Sequence, residues 1–279
     1  MKTKLLNIKG KLMSLDRPVV MGILNATPDS FYAKSRQTNE YEVKKRIETV
    51  IEEGATFIDI GGYSTRPTAA LVSEEEEWRR LKPVLEILST GYSKIPVSVD
   101  TFRAKIAWRA VEDYGAAIIN DISGGTLDEK MFETVADLNV PYILMHIKGT
   151  PRTMHECEYY VNILEEVMLY FSEKLKKLRR MGVNDVIVDP GFGFSKNVNQ
   201  NYYLMSRLKE FSEMMDCLVL VGVSRKRMIF KFLEISSEES LTGTTVLNTF
   251  ALLNGADILR VHDVKAAVEA IKIVDKLIN

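Results

Sequence analysis

The sequence predicts an α/β fold: a single-domain (β/α)8 TIM barrel spanning residues 1–279, with an N-terminal hairpin. Three observations carry that prediction. Short apolar runs rich in Val and Ile alternate with longer helical patterns along the chain, and there are eight such runs. The runs are continuously apolar rather than alternating, as strands covered on both faces are. Their ends are spaced by roughly 34 residues, the length of a βα unit. The competing architecture is an open doubly wound sheet. No Gly-x-Gly-x-x-Gly follows the first run, which counts against its dinucleotide-binding form.

Residues 5–16 read as a hairpin under the barrel, with Gly10 at the turn. The strand runs follow at 19–24, 57–60, 97–99, 117–119, 142–145, 186–188, 218–221 and 258–261. A helix is expected over 40–53, with Val43, Ile47 and Val50 on one face and Gly54 as its stop. Ser73 precedes four glutamates at 74–77, an N-cap followed by acids that complement the helix dipole, read as a solvated helix start. The apolar face of that helix continues through Leu81, Leu85 and Leu88. Further helices are expected over 102–114, 128–138, 159–181, 238–254 and 263–278.

Composition narrows the class. At 46% apolar residues, the chain can bury a large core. Lys plus Arg number 37 against 38 Asp plus Glu, so no basic excess suggests a nucleic-acid partner. The two cysteines, Cys157 and Cys217, are too few for a disulfide framework, which fits a cytoplasmic protein. Charges interrupt every apolar stretch at the N-terminus, so neither a signal peptide nor a membrane anchor is expected.

In a barrel of this kind the chemistry sits where the strands end. At or near the ends of the runs stand Asn25, Asp59, Asp100, Asn120 with Asp121, His146, Asp189, Lys226 beyond Ser224-Arg225, and Arg260 with His262. One polar strand end means little, but a full ring of them does not arise from turn chemistry alone. Carboxylates at Asp100 and Asp189 with the Asn120 amide suit a planar N–C–N donor edge, as in a 2-amino-pyrimidinone ring. Arg260, His262 and Lys226 suit phosphate oxygens or an electronegative ring atom. The Asn25 oxygen suits Mg2+, which takes few protein ligands. The expected ligand is a flat heterocycle with an anion at its edge. His146 reads equally as a structural histidine, Asp121 as a turn cap, and the methionines as core fillers.

Eight blocks then resemble, in order, the dihydropteroate synthase family of pterin-binding enzymes. They are Met21-Gly-Ile-Leu-Asn-Ala-Thr-Pro-Asp-Ser-Phe31, Gly61-Gly-Tyr-Ser-Thr-Arg-Pro67, Ser98-Val-Asp-Thr101, Ile119-Asn-Asp-Ile-Ser-Gly-Gly125, Leu144-Met-His-Ile-Lys-Gly-Thr-Pro151, Asp189-Pro-Gly-Phe-Gly-Phe194, Ser224-Arg-Lys226 and Arg260-Val-His-Asp263. The resemblance implies a pterin set of Asp100, Asn120, Met145, Asp189 and Lys226, and a diphosphate set of Asn25, Thr65, Arg260 and His262. It also implies Asn25 as a Mg2+ ligand, and a 4-aminobenzoate set of Phe31, Pro67, Phe192, Phe194 and Ser224. The catalytic residues it implies are Asp100, Lys226, Asp29 and Arg66, the last two on loops that close over the substrates. A homodimer through helices 238–254 and 266–278 is implied as well, with no membrane or nucleic-acid partner.

The implied reaction condenses 6-hydroxymethyl-7,8-dihydropterin diphosphate with 4-aminobenzoate in folate biosynthesis. A pterin-dependent methyltransferase domain shares the barrel but needs no diphosphate residues, and a non-catalytic pterin-binding subunit need not keep them. The chain departs from the family in three places. No Gly follows Phe31 through Asn39, Tyr63 stands where Glu is usual, and Thr68 stands where Gly is usual. Replacing Asp100 is expected to harm pterin binding more than replacing Asp59.

Overall fold

The structure is a computed structural model that describes residues 4–26, 36–63, 72–150, 153–154 and 159–279. Its N-terminal hairpin pairs β1 (Leu5–Ile8) with β2 (Lys11–Ser14), antiparallel, with Ile8 opposite Lys11. That register leaves a two-residue turn, Lys9-Gly10, with both φ angles positive, at 52° and 79°. Such a turn matches the right-handed twist of the strands it joins, and glycine at its second position costs little. Leu6, Ile8 and Leu15 are buried against Met21, Phe57, Ile118, Ile143, Ile187 and Ile258, which line the lower barrel. The Asn7 amide donates to the Asp185 carboxylate, and the Lys4 ammonium pairs with Asp257, so the hairpin seals the end opposite the site.

The barrel comprises β3 (Val19–Asn25), β4 (Phe57–Gly61), β5 (Val97–Asp100), β6 (Ile118–Asp121), β7 (Tyr142–Met145), β8 (Val186–Asp189), β9 (Leu218–Val221) and β10 (Ile258–Val261). All are parallel, in sequential order, and β10 closes onto β3. The apolar runs are therefore strands wrapped by helices outside and packed against each other inside, as their continuous apolarity predicted. Strands run past the end of the apolar run onto polar residues: Asn25, Asp100, Asn120 with Asp121, and Asp189 belong to the last rungs of the ladder. Their backbones are fixed by strand pairing, so their side chains stand on a rigid rim.

The outer layer contains α1 (Arg36–Glu52), α2 (Glu74–Gly91), α3 (Ala104–Tyr114), α4 (Met131–Leu138), α5 (Ile163–Arg180), α9 (Leu241–Leu253) and α10 (Val264–Ile278). Ser73 caps α2 as expected, its hydroxyl accepting from the Glu76 amide at 3.2 Å, an arrangement worth about 1 kcal/mol. The glutamate run is not wholly solvated, however. Glu77 is fully buried, accepting from Thr101 Oγ1 at 2.7 Å and pairing with Arg103. It faces inward because α2 packs against α3, so it anchors the segment that leaves the rim at Asp100. Two helices lack a counterpart in the apolar periodicity, α6 (Val198–Ser206) and α7 (Leu208–Met214). The signal for α6 is polar. Asn197 Oδ1 accepts from the Gln200 amide, and Gln200 Oε1 accepts from the Asn197 amide, a reciprocal capping box. A single turn, α8 (Arg227–Phe230), follows β9. It begins after Lys226, because Arg225 takes a left-handed φ of 54°.

Candidate active site

Register places the first four rim positions at one level. Asn25 pairs with Gly61, Gly61 with Asp100, and Asp100 with Asn120. Met145 and Asp189 pair across β7 and β8. Arg260 enters from β10, and the β9–α8 connection brings Lys226 back over the rim. A Cβ added at Gly222 would lie 3.8 Å from Arg260 Cβ and 3.9 Å from Lys226 Nζ, so these two cations share one side of the mouth.

Asp59 is the hub of the arrangement. It sits inside the apolar run of β4 and is fully buried. Its Oδ1 accepts from Ser98 Oγ at 2.6 Å; its Oδ2 accepts from Asn120 Nδ2 at 3.2 Å and from Arg260 Nε at 2.7 Å. Arg260 Nη2 also donates to Asp100 Oδ2 at 2.8 Å. One guanidinium thus spans two carboxylates, and one carboxylate orients both the expected ring-binding amide and the expected anion-binding cation. Burial works against the Arg260 charge, but Asp59 and Asp100 outweigh it and raise its pKa further. Sequence reasoning left Asp59 out of the site. Its signal was an ionisable residue in an otherwise apolar strand.

Burial raises both carboxylates at the ring end above the ordinary range. Burial pushes Asp100 up to about 7 against the pull of Arg260, with Asp59 and Asp121 adding to the rise and Lys226 opposing it. Burial raises Asp189 too, opposed by Lys226 and by the Gly191 amide, which donates to Oδ1 at 2.7 Å. Burial lowers Lys226 to about 8, with Asp189 resisting. Lys226 Nζ donates to the Phe192 carbonyl and lies 4.7 Å from the Phe194 ring centroid.

His262 follows β10, and its surroundings disfavour the charged imidazolium. Burial and the neighbouring Arg260 lower it to about 4. Its amide donates to Ser224 Oγ at 3.2 Å, and its Nδ1 lies 3.0 Å from the same oxygen. The neutral imidazole keeps one N–H, and the contact with the Ser224 hydroxyl holds the ring in place beside Arg260. Ser224, expected beside the second substrate, stands between the β9 and β10 exits with its hydroxyl against His262. Arg225 pairs with Asp263 through two bonds of 2.8 and 2.9 Å, tying the β9 and β10 exits together.

Phe192 and Phe194 part company. Phe192 is fully buried in the main core, and its carbonyl accepts from Lys226. Phe194 is half-buried and packs beside Met145, Ile122 and Ile147 at the barrel top. Asp121 caps a turn, accepting from the amides of Ser123 and Gly125, and from Tyr142 Oη at 2.6 Å. His146 is buried with its Nδ1 against Lys196 and its ring 4.8 Å from that of Tyr170, a structural placement. Asp29, Phe31, Thr65, Arg66, Pro67 and Thr68 lie outside the described residues, as do His155 and Cys157. Asn25 ends β3 with an exposed side chain. Among the described residues no three His, Cys, Asp or Glu side chains gather into a metal cage, and no helix is long and apolar enough to cross a membrane.

The arrangement offers acceptors for a planar donor edge at one end and cations or N–H donors for an anion at the other. Comparison with known proteins agrees. The family model described as pterin binding enzyme matches residues 21–262. Dihydropteroate synthase of Escherichia coli K12 is 40% identical over 274 residues, covering 97% of this chain and 95% of the relative. The Yersinia pestis dihydropteroate synthase in a sulfonamide drug complex superposes with a TM-score of 0.90 at 37% identity, covering 98% of both chains. The Xanthomonas albilineans enzyme with 4-aminobenzoic acid gives a TM-score of 0.89 at 36% identity, covering 99% of this chain and 98% of the other. A barrel whose rim carries this donor and acceptor ring, matched over nearly its whole length, belongs to the pterin-binding enzyme family of dihydropteroate synthases.

Proposed function

We propose that the protein is a transferase of folate biosynthesis that condenses 6-hydroxymethyl-7,8-dihydropterin diphosphate with 4-aminobenzoate, releasing 7,8-dihydropteroate and pyrophosphate. The observation that carries this reading is the network in which Asn120 and Arg260 meet on Asp59 and Arg260 reaches on to Asp100, with Lys226 and Asp189 completing the ring. Asp100, Asn120 and Asp189 accept from and orient the pterin, with Met145 beneath it. Arg260 and neutral His262 take the diphosphate. Phe194 and Lys226 face the second substrate; the reading assigns Phe31 and Pro67 to that substrate as well, Thr65 to the diphosphate, and Asp29 and Arg66 to catalysis. The carbon–oxygen bond to the diphosphate breaks as the arylamine nitrogen attacks that carbon, and the amine loses its proton. An arylamine is a weak nucleophile, so most of the acceleration comes from stabilising the departing anion and from excluding water.

Mg2+ is the cofactor of this reading. The donor set fits a cation that takes one protein oxygen, here Asn25, and completes its shell with diphosphate and water. Bound there, Mg2+ supplies positive charge to the leaving group. The anion-end residues Asn25, Arg260 and His262 favour the synthase over a methyltransferase, which has no diphosphate to bind. Incubating the protein with both substrates and Mg2+ should yield equal amounts of pyrophosphate and dihydropteroate. No product from the complete mixture discards the assignment.

The reading includes a homodimer in a reducing, cytoplasmic setting. Val246, Phe250 and Leu253 recur at helical spacing on α9 and are exposed, as are Ile273 and Leu277 on the adjoining α10. Light scattering should report twice the chain mass for the wild type and the chain mass for Phe250→Glu. A wild type that is already monomeric at micromolar concentration removes the dimer from the reading.

A further inference from the structure

The connection from β8 to α6, residues 190–197, is among the most tightly coiled parts of the chain. Gly191, Gly193 and Ser195 all take positive φ, at 71°, 81° and 48°. A Cβ at Gly191 would lie 2.0 Å from the His146 carbonyl oxygen, so the coil rests directly on the exit of β7. Under it lies Lys196, 95% buried by its 5% exposure, with its ammonium in the middle of the coil. Nζ donates to the Gly191 carbonyl at 3.0 Å and to the Phe194 carbonyl at 3.0 Å, and meets His146 Nδ1 at 2.9 Å. An ammonium has three N–H donors, and all three are used. Lys196 therefore has nothing left to offer a substrate.

The coil instead shows a division of its carbonyls. Those of Gly191 and Phe194 turn inward to Lys196, while that of Phe192 accepts from Lys226. The Phe194 ring comes to rest 4.7 Å from the same Lys226 ammonium. Asn201 fastens the coil from the far side, its Oδ1 accepting from the Gly193 amide at 2.7 Å and its Nδ2 donating to the Lys196 carbonyl at 3.0 Å. We propose that Lys196 is a positioning residue. Its ammonium holds this connection in the one curl that presents the Phe194 ring and the Phe192 carbonyl to Lys226, and so builds the 4-aminobenzoate side of the site.

The charge contributes as well as the shape. Burial lowers Lys196 to about 7, Asp189 opposes that fall, and Lys226 adds to it. Burial and the Lys196 charge keep His146 well below its ordinary range, which leaves Nδ1 free to accept. Without the ammonium, two inward carbonyls lose their donor in a site that water cannot easily reach. The coil then relieves them by opening, which moves Phe194 away from Lys226.

The inference rests on the synthase reading, and its test separates the two. Wild type, Lys196→Met and Lys196→Gln are compared by thermal denaturation, by pterin diphosphate titration without 4-aminobenzoate, and by steady-state kinetics. With Lys196→Met, KM for 4-aminobenzoate should rise about tenfold, with a smaller loss in kcat and in pterin affinity. Lys196→Gln, which keeps a donor of shorter reach, should fall between Met and wild type and carries the test if the Met variant does not fold. An unchanged KM for 4-aminobenzoate in a folded variant overturns the positioning role, and so does an equal loss in affinity for both substrates. A wild type that makes no dihydropteroate overturns the synthase reading and this inference with it.

Discussion

Replacing Arg260 with leucine is expected to cost the protein both stability and activity. The guanidinium is the cationic partner of a fully buried carboxylate, Asp59, and also donates to Asp100. Removing one member of a buried pair leaves the other charge uncompensated, which typically costs about 3–5 kcal/mol. The cost depends on pH with a definite sign. Asp100 already stands at about 7 with Arg260 pulling it down, so without that pull its folded-state pKa rises further. A carboxyl group raised above its unfolded value retains its proton in the folded state, and stability falls as pH rises through the interval between the two values. The variant should therefore lag the wild type more at pH 8 than at pH 5. Urea unfolding at both values checks this, and an equal deficit at the two would contradict it. At either pH, kcat/KM should drop by roughly a thousandfold, because the diphosphate loses a fixed donor while Asn120 loses its oriented neighbour.

Asp100→Asn is the second large effect. A carboxylate accepts two N–H groups side by side, whereas the amide places a donor against one of them. Pterin affinity should fall by roughly a hundredfold, or about 2.8 kcal/mol. In the wild type that affinity should also rise with pH. The ring's donor edge selects the ionised carboxylate, so binding releases a proton while Asp100 is still protonated, and the gain levels off above about 7. Four charged groups face it: Arg260 and Lys226 favour its ionisation, and Asp59 and Asp121 oppose it. Calorimetry in buffers of different ionisation enthalpy counts the released protons. A wild-type affinity that is flat between pH 6 and 8, or the same slope in Asp100→Asn, would contradict the assignment. Asp59→Asn should weaken pterin binding less, because Asp59 lies beneath the rim and acts through Asn120 and Arg260.

The barrel was legible because a parallel strand covered on both faces needs only apolar residues, and eight such runs are visible without contacts. Its rim was legible for a related reason. A strand's last rung is where apolarity stops, so Asn25, Asp100, Asn120 and Asp189 marked themselves. The short helices α6 and α7 were less legible, since a polar capping box rather than an apolar stripe announces the first of them.

By itself, then, the sequence determined the architecture, the ring of polar strand ends and the chemical class of ligand those residue types can hold. Tertiary structure alone decided how the charges share one another. Arg260 meets Asp59 across 201 positions and Asp100 across 160, and no local pattern records such pairings. It also decided that burial and Arg260 disfavour a charged His262, that Glu77 is buried, and that of two phenylalanines two residues apart one enters the core and the other lies under Lys226. The physical reason is common to all of these. Strand and helix formation follow from the spacing of residues along the chain, whereas the protonation and orientation of a buried polar group follow from whatever the closed barrel brings within hydrogen-bond distance of it.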